Sequence, residues 1–163
     1  VSFEESYLGQ LRELIGGRLV LVPGVLVVAL DTEGRVLCGL RGDTGTWGLP
    51  AGHAEVDASF RSTAVTELRE ETGLITTEDA LVAFASISEP EFQHYTYPNG
   101  HEVHSFAVCF MTRHWTGEAV ADGDEMTEVG FYDLDNRPHM TGPSGLAIDL
   151  FERYVATGEF QAR

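Results

Sequence analysis

Basic residues are scarce in this chain. Lys and Arg together number 10 against 26 Asp and Glu, a formal net charge of -16 at neutral pH. Nucleic acid polymers and acidic membrane surfaces are usually met by basic patches, so neither is an expected partner. A nucleotide remains admissible where metal ions carry its phosphates. Cysteine is sparse too. Cys38 and Cys109 sit in apolar, strand-like runs and make neither a metal-binding spacing nor a disulfide framework, which fits a reducing cytoplasm. No run approaches membrane-spanning length, and no charged segment followed by an apolar stretch opens the sequence. Internal repeats and linkers are missing as well, so one domain over residues 1–163 is expected, large enough to bury roughly 68–70% of its unfolded surface.

Amphipathic patterning supplies the elements. Residues 4–15 place Tyr7, Leu8, Leu11 and Ile15 on one helical stripe that Gly16-Gly17 ends. Two extended runs follow, 19–31 with a break at Pro23-Gly24, and 35–41, joined by the hairpin turn Asp31-Thr32-Glu33-Gly34. A helix should start at the N-cap Ser59 and stop at Gly73, with Phe60, Ala64 and Leu68 as its buried stripe. Residues 79–88 read as a strand and 89–101 as a loop turning at Tyr97-Pro98-Asn99-Gly100. The longest strand, 103–115, is apolar on both faces, with Ala107, Cys109 and Met111 on one and Phe106, Val108 and Phe110 on the other. That makes it central and doubly covered. An acidic loop, a short strand over 129–134 and a helix over 144–157, packing through Leu146, Leu150, Tyr154 and Val155, complete an α+β pattern of helices layered on a sheet.

The chemistry concentrates between Gly52 and Leu74, GHAEVDASFRSTAVTELREETGL. Glu67, Glu70 and Glu71 stand at i, i+3 and i+4, on one side of the helix. Like charges at those spacings cost an isolated helix roughly 0.2–0.5 kcal/mol per pair. A solvated acidic face is the plain alternative, but it needs neither the rigid turn Trp47-Gly48-Leu49-Pro50-Ala51-Gly52 nor Gly73. An acidic helix fed by such a loop suits divalent cations that carry a phosphorylated substrate.

This block resembles the Nudix box, G-x5-E-x7-R-E-U-x-E-E-x-G-U with U a bulky aliphatic residue, of MutT-like Nudix hydrolases. Gly52, Glu67, Leu68, Glu70, Glu71, Gly73 and Leu74 match it. Ala58 stands where a Glu is expected and Thr66 where an Arg is expected. The resemblance implies an α/β/α sandwich with a mixed β-sheet. It implies Mg2+, or Mn2+, held by Glu67, Glu70, Glu71 and the backbone carbonyl of Gly52, with Glu67 as ligand or base. The activity implied is hydrolysis of the diphosphate linkage in a nucleoside diphosphate derivative such as a nucleoside triphosphate or ADP-ribose. The alternative is a module that keeps the fold and senses a nucleotide without chemistry. The missing Glu and Arg would support the loop and helix, so their joint absence removes rigidity before it removes ligands.

Outside the box, Glu125 in the acidic loop is the first candidate for a distal metal ligand or base, ahead of Asp124 and Glu128; each is otherwise a surface carboxylate. Glu55 and Asp57 are further nearby carboxylates. Arg41, at a strand end beside the Gly/Pro loop, is a candidate phosphate contact or an exposed surface arginine. Trp47 and the aromatics Phe92, Tyr95 and Tyr97 could stack on a base or close a hydrophobic edge. His53, next to Gly52, could touch a phosphate. A homodimer is the default expectation for assembly.

Overall fold

The computed structural model describes residues 3–97 and 99–163. Along the chain run α1 (Tyr7–Ile15), β1 (Val20–Ala29), β2 (Val36–Arg41), β3 (Trp47–Gly48), β4 (Ala51–His53) and α2 (Phe60–Thr72). Then come β5 (Val82–Ile87), α3 (Pro90–Gln93), β6 (His94–Thr96), β7 (Glu102–Thr112), β8 (Met126–Tyr132), α4 (Gly142–Thr157) and β9 (Gln161–Ala162). The larger sheet has the order β4-β1-β7-β5-β9 with β6 added on β7, and a second sheet has the order β3-β2-β8. β1 runs parallel to β7 and β9 parallel to β5, while β4 pairs antiparallel with β1 and β5 antiparallel with β7, so the larger sheet is mixed.

Strand alternation sends β1 into two cores. Val25, Val27 and Ala29 face Ala64 and Leu68 of α2, with Leu74 and Phe110. Leu26, Val28 and Leu30 face Ala147, Ile148, Leu150 and Phe151 of α4. Helix, sheet and helix thus form the expected α/β/α layers. β7 is central as its two apolar faces imply, with Cys109 in one core and Phe110 in the other. Phe106 is left outside both, 45% exposed.

Several local expectations change. Pro23 does not break β1. Its carbonyl accepts the Ala54 N–H, and its ring nitrogen, which cannot donate, lies past the last β4 pair at Gly24 and His53. The turn at 31–34 forms, with Asp31 Oδ1 accepting the N–H groups of Glu33 and Arg35. The strands it joins pair at the Leu30–Val36 bridge, next to an Asp31 N–H to Arg35 carbonyl bond, before parting into different sheets. A 3-10 turn, Glu78–Ala80, takes the start of the expected strand at 79–88. The expected loop at 89–101 contains α3 and β6; its turn closes by a Gly100 N–H to Tyr97 carbonyl bond, and Pro98 lies outside the described residues.

α2 begins and ends where expected. Ser59 and Ser62 form a reciprocal capping box, and Gly73 adopts the left-handed conformation at φ 74°. Phe60, in its first turn, is not buried but stands exposed beside Phe106. α4 starts two residues early at Gly142, and Val155 faces solvent while Phe151 takes the core position edge-on to Phe84.

Candidate active site

Three chain segments converge on the N-terminal side of β4. The loop from β3 to β4 is pinned from below, because the Leu49 N–H donates to Ser144 Oγ at 3.1 Å. Gly48 allows that approach, since a Cβ there would lie 3.2 Å from the same oxygen. From its last turn, α2 then sends Glu71 inward, where it is only 1% exposed. Glu71 Oε2 accepts the Ala51 N–H at 3.0 Å. Its other oxygen, Oε1, is buried without a hydrogen-bond partner and lies 3.8 Å from Arg41 Nη1. Most buried polar atoms take a hydrogen bond, so a carboxylate oxygen left with only a long ion pair to Arg41 is unusual.

Ladder parity decides which backbone carbonyl faces that oxygen. Val27 N–H bonds to the Pro50 carbonyl and Ala54 N–H to the Pro23 carbonyl. In an antiparallel pair such bonds recur at every second residue. Gly52 is therefore the bonded partner of Val25, and its carbonyl turns toward β1. The expectation that the Gly52 carbonyl completes a metal site is corrected accordingly. Ala51 points the other way, toward Glu71, and its carbonyl shares that direction. What Gly52 supplies is room: a Cβ there would collide with the Glu67 carboxylate.

Charge crowding marks the same place. Burial, followed by the negative charges of Glu125 and Glu70, pushes the Glu67 carboxyl up to about 8. Burial raises Glu71 well above the ordinary carboxylate range; the Ala51 N–H opposes this, Glu67 and Glu125 add to it, and Arg41 opposes it. Glu125 is raised by burial against the pull of Arg41. The acidic loop thus brings the charge of Glu125 within reach of Glu67 and Glu71. Its backbone is fixed by Asp122, which accepts the N–H groups of Glu125 and Met126. Glu128 lies within β8, beside Tyr132, and Asp124 neighbours Glu125.

The remaining candidates divide. Arg41 follows a register shift between Leu40 and Arg41 in the β2–β8 ladder, and its charge is felt by Glu71, Glu125, His53, Tyr95 and Tyr97. Tyr97 meets Tyr95 edge-on at 5.3 Å, and the Tyr95 hydroxyl lies 3.2 Å from His53 Nε2. Burial, with Arg41 nearby, lowers His53 to about 4, so it is neutral at physiological pH and offers a hydrogen bond rather than a cation. Trp47 packs edge-on against Tyr132 and the α4 core. Glu70 is largely exposed beside Arg69. Glu55 is drawn elsewhere, accepting the Tyr7 N–H at the start of α1. Ala58 is exposed before α2 and Thr66 is partly buried.

Among the described residues, no three acidic, histidine or cysteine side chains enclose an ion by themselves. Magnesium keeps several waters and takes one or two carboxylates plus substrate phosphates. The hard oxygen donors of Glu67 and Glu71, one of them orphaned, fit such an ion.

The sequence pattern of the NUDIX domain matches residues 20–145. The chain belongs to the NUDIX family of hydrolases. An ADP-ribose pyrophosphatase of Methanocaldococcus jannaschii is 30% identical to it over 133 residues, covering 79% of this chain and 73% of that protein. Among solved structures, this NUDIX fold resembles a MutT NUDIX hydrolase from Burkholderia pseudomallei, with a TM-score of 0.65, 20% identity, and 80% and 98% of the two chains covered. It also resembles the NUDIX domain of Shewanella oneidensis NrtR complexed with ADP ribose, with a TM-score of 0.64, 16% identity, and 83% and 89% covered. Those two likenesses bear on the NUDIX fold alone.

Proposed function

We propose that this NUDIX hydrolase is a magnesium-dependent pyrophosphohydrolase cleaving the diphosphate linkage of a nucleoside diphosphate derivative, with ADP-ribose as the leading substrate. The observation that carries the reading is the buried Glu71, held by the Ala51 N–H and left with one carboxylate oxygen free of hydrogen bonds, within reach of the charge of Glu67. The Methanocaldococcus jannaschii relative, an ADP-ribose pyrophosphatase, favours a nucleoside diphosphate sugar over a triphosphate.

Glu67 and Glu71 would hold the magnesium, or manganese in its place, with Glu70 and the Ala51 carbonyl as further oxygen donors. Once bound, the ion supplies neutralisation of diphosphate charge and a water of lowered pKa. The chain's own residues do the rest. Arg41 binds a non-bridging diphosphate oxygen. Tyr97 and the neutral His53–Tyr95 pair wall the site on the Arg41 side. Glu125 takes the proton of the water that attacks one phosphorus, while the anhydride P–O bond breaks and the other phosphate leaves. The proposal includes one domain over the whole chain, a homodimer as the default assembly and, from the two buried free thiols, a reducing cytoplasm.

The test is product release from a panel of ADP-ribose, a sugar nucleotide, nucleoside triphosphates and a dinucleoside polyphosphate, with and without magnesium. Magnesium-dependent release of AMP and ribose 5-phosphate from ADP-ribose is expected. Silence across the panel, with ADP-ribose still bound in a calorimeter, would instead make the chain a nucleotide-sensing module.

A further inference from the structure

We infer that Asp43 is a positioning residue: it grips one edge of the Arg41 guanidinium and so turns the remaining edge toward the diphosphate site. The inference rests on the pyrophosphohydrolase reading given above. Asp43 Oδ1 accepts Arg41 Nε–H at 3.0 Å, and Oδ2 accepts an Nη2–H at 3.0 Å, a two-pronged pairing. That leaves Nη1 and the second Nη2–H without a hydrogen bond, with Nη1 in a long ion pair 3.8 Å from Glu71 Oε1. A planar guanidinium held along its Nε edge presents its opposite edge in one orientation, which matches a pair of phosphate oxygens.

The carboxylate is delivered by a closed loop. Arg41 N–H bonds to the Thr46 carbonyl and Gly45 N–H bonds back to the Arg41 carbonyl, each at 2.9 Å, so Asp43 rides on a turn tied at both ends. The same turn meets the acidic loop: Gly42 N–H donates to the Glu125 carbonyl at 2.9 Å. A Cβ on Gly42 would come within 2.6 Å of the Asp124 carbonyl oxygen, so the close passage of the two loops depends on that glycine. Asp43 is therefore built into the frame of the site.

Stability does not account for the pair. The Arg41 and Asp43 side chains are 30% and 43% exposed, and pairs this open contribute little to folding. A carboxylate beside a polyanion's binding site would repel the ligand unless its effect on Arg41 outweighed the repulsion. The two roles have opposite signs. As a positioning group, Asp43 tightens substrate binding; as a competitor for Arg41, it weakens it.

Steady-state kinetics on ADP-ribose with magnesium separate them. For Asp43→Ala, KM is expected to rise about tenfold while kcat stays within about threefold, the signature of a lost binding contact. Asp43→Asn, whose amide oxygen still accepts one of the two bonds, is expected to fall between parent and Ala. In an Arg41→Ala background the Asp43→Ala change is expected to have no further effect, because Asp43 acts through Arg41. Thermal midpoints of the Asp43 variants should match the parent. An unchanged or lowered KM in Asp43→Ala overturns the inference, as does an equal rise in the Arg41→Ala background. No turnover of any panel substrate by the parent would overturn the pyrophosphohydrolase reading itself, and this inference with it.

Discussion

Glu71→Gln is expected to lower turnover by on the order of 10^3-fold while leaving the fold as stable as the parent or more so. Glutamine has nearly the same shape, and its carbonyl oxygen can still accept the Ala51 N–H that Glu71 Oε2 takes now. What it cannot offer is negative charge at the orphaned oxygen. The folded state also holds Glu71 almost out of contact with water, a place where an ionised carboxylate is costly unless compensated. Removing the charge relieves that cost, so the two measurements move in opposite directions. An ordinary structural residue would lose activity and stability together. Turnover at the parent rate would show that Glu71 has no part in the chemistry. A large fall in the thermal midpoint would show that its carboxylate is there to hold the fold.

With divalent metal removed by a chelator, the protein is expected to become less stable as pH rises from about 5 to about 8, by on the order of 2 kcal/mol. The sign follows from Glu67. Its carboxyl titrates near 4.5 when unperturbed and at about 8 in the folded chain. Between those values the native state binds more protons than the unfolded state, so each rise in pH favours unfolding. Glu71 and Glu125, raised in the same direction, add to the slope. The full shift is not realised as stability, because Glu67 keeps some contact with water. Denaturant unfolding at several pH values, on the parent and Glu67→Gln, reads the effect: the slope should flatten in the variant. Magnesium should raise the parent's midpoint more at the alkaline end, where no proton has to leave first. A parent whose stability climbs through this pH range would rule out the crowded, buried cluster.

Much of this was legible before any coordinates. Ser59 and Gly73 bracket α2 because capping chemistry is local, and the two apolar faces of β7 announce a strand covered on both sides. The i, i+3, i+4 spacing puts the three glutamates on one side of α2, and Glu125 of the acidic loop before β8 lies where its charge acts on Glu67 and Glu71. Rotation of the helix was not legible. Periodicity cannot say that Glu71 is buried against β4 while Glu70 stands in water, because that depends on where α2 docks. Ladder parity was hidden for the same reason: whether Ala51 or Gly52 turns its carbonyl to the site follows from the β1–β4 register, a pairing between distant segments. An isolated proline such as Pro23 signals a break, whereas its place beyond the end of the β4 ladder makes it harmless. Asp43 stands inside an unremarkable turn. Its proximity to Arg41 offered a weak signal, since residues two apart at the ends of a tight loop can fold back on each other.

The central claim is that Glu71 and its neighbours form a metal site, and calorimetric titration of manganese into the parent and Glu71→Gln tests it most directly. The titration is run near pH 7 in two buffers of different ionisation enthalpy, which reports protons released on binding. The account predicts binding to the parent with release of protons from the raised carboxyls, and loss of that binding in Glu71→Gln. Equal binding by both proteins, with no proton released, would contradict it.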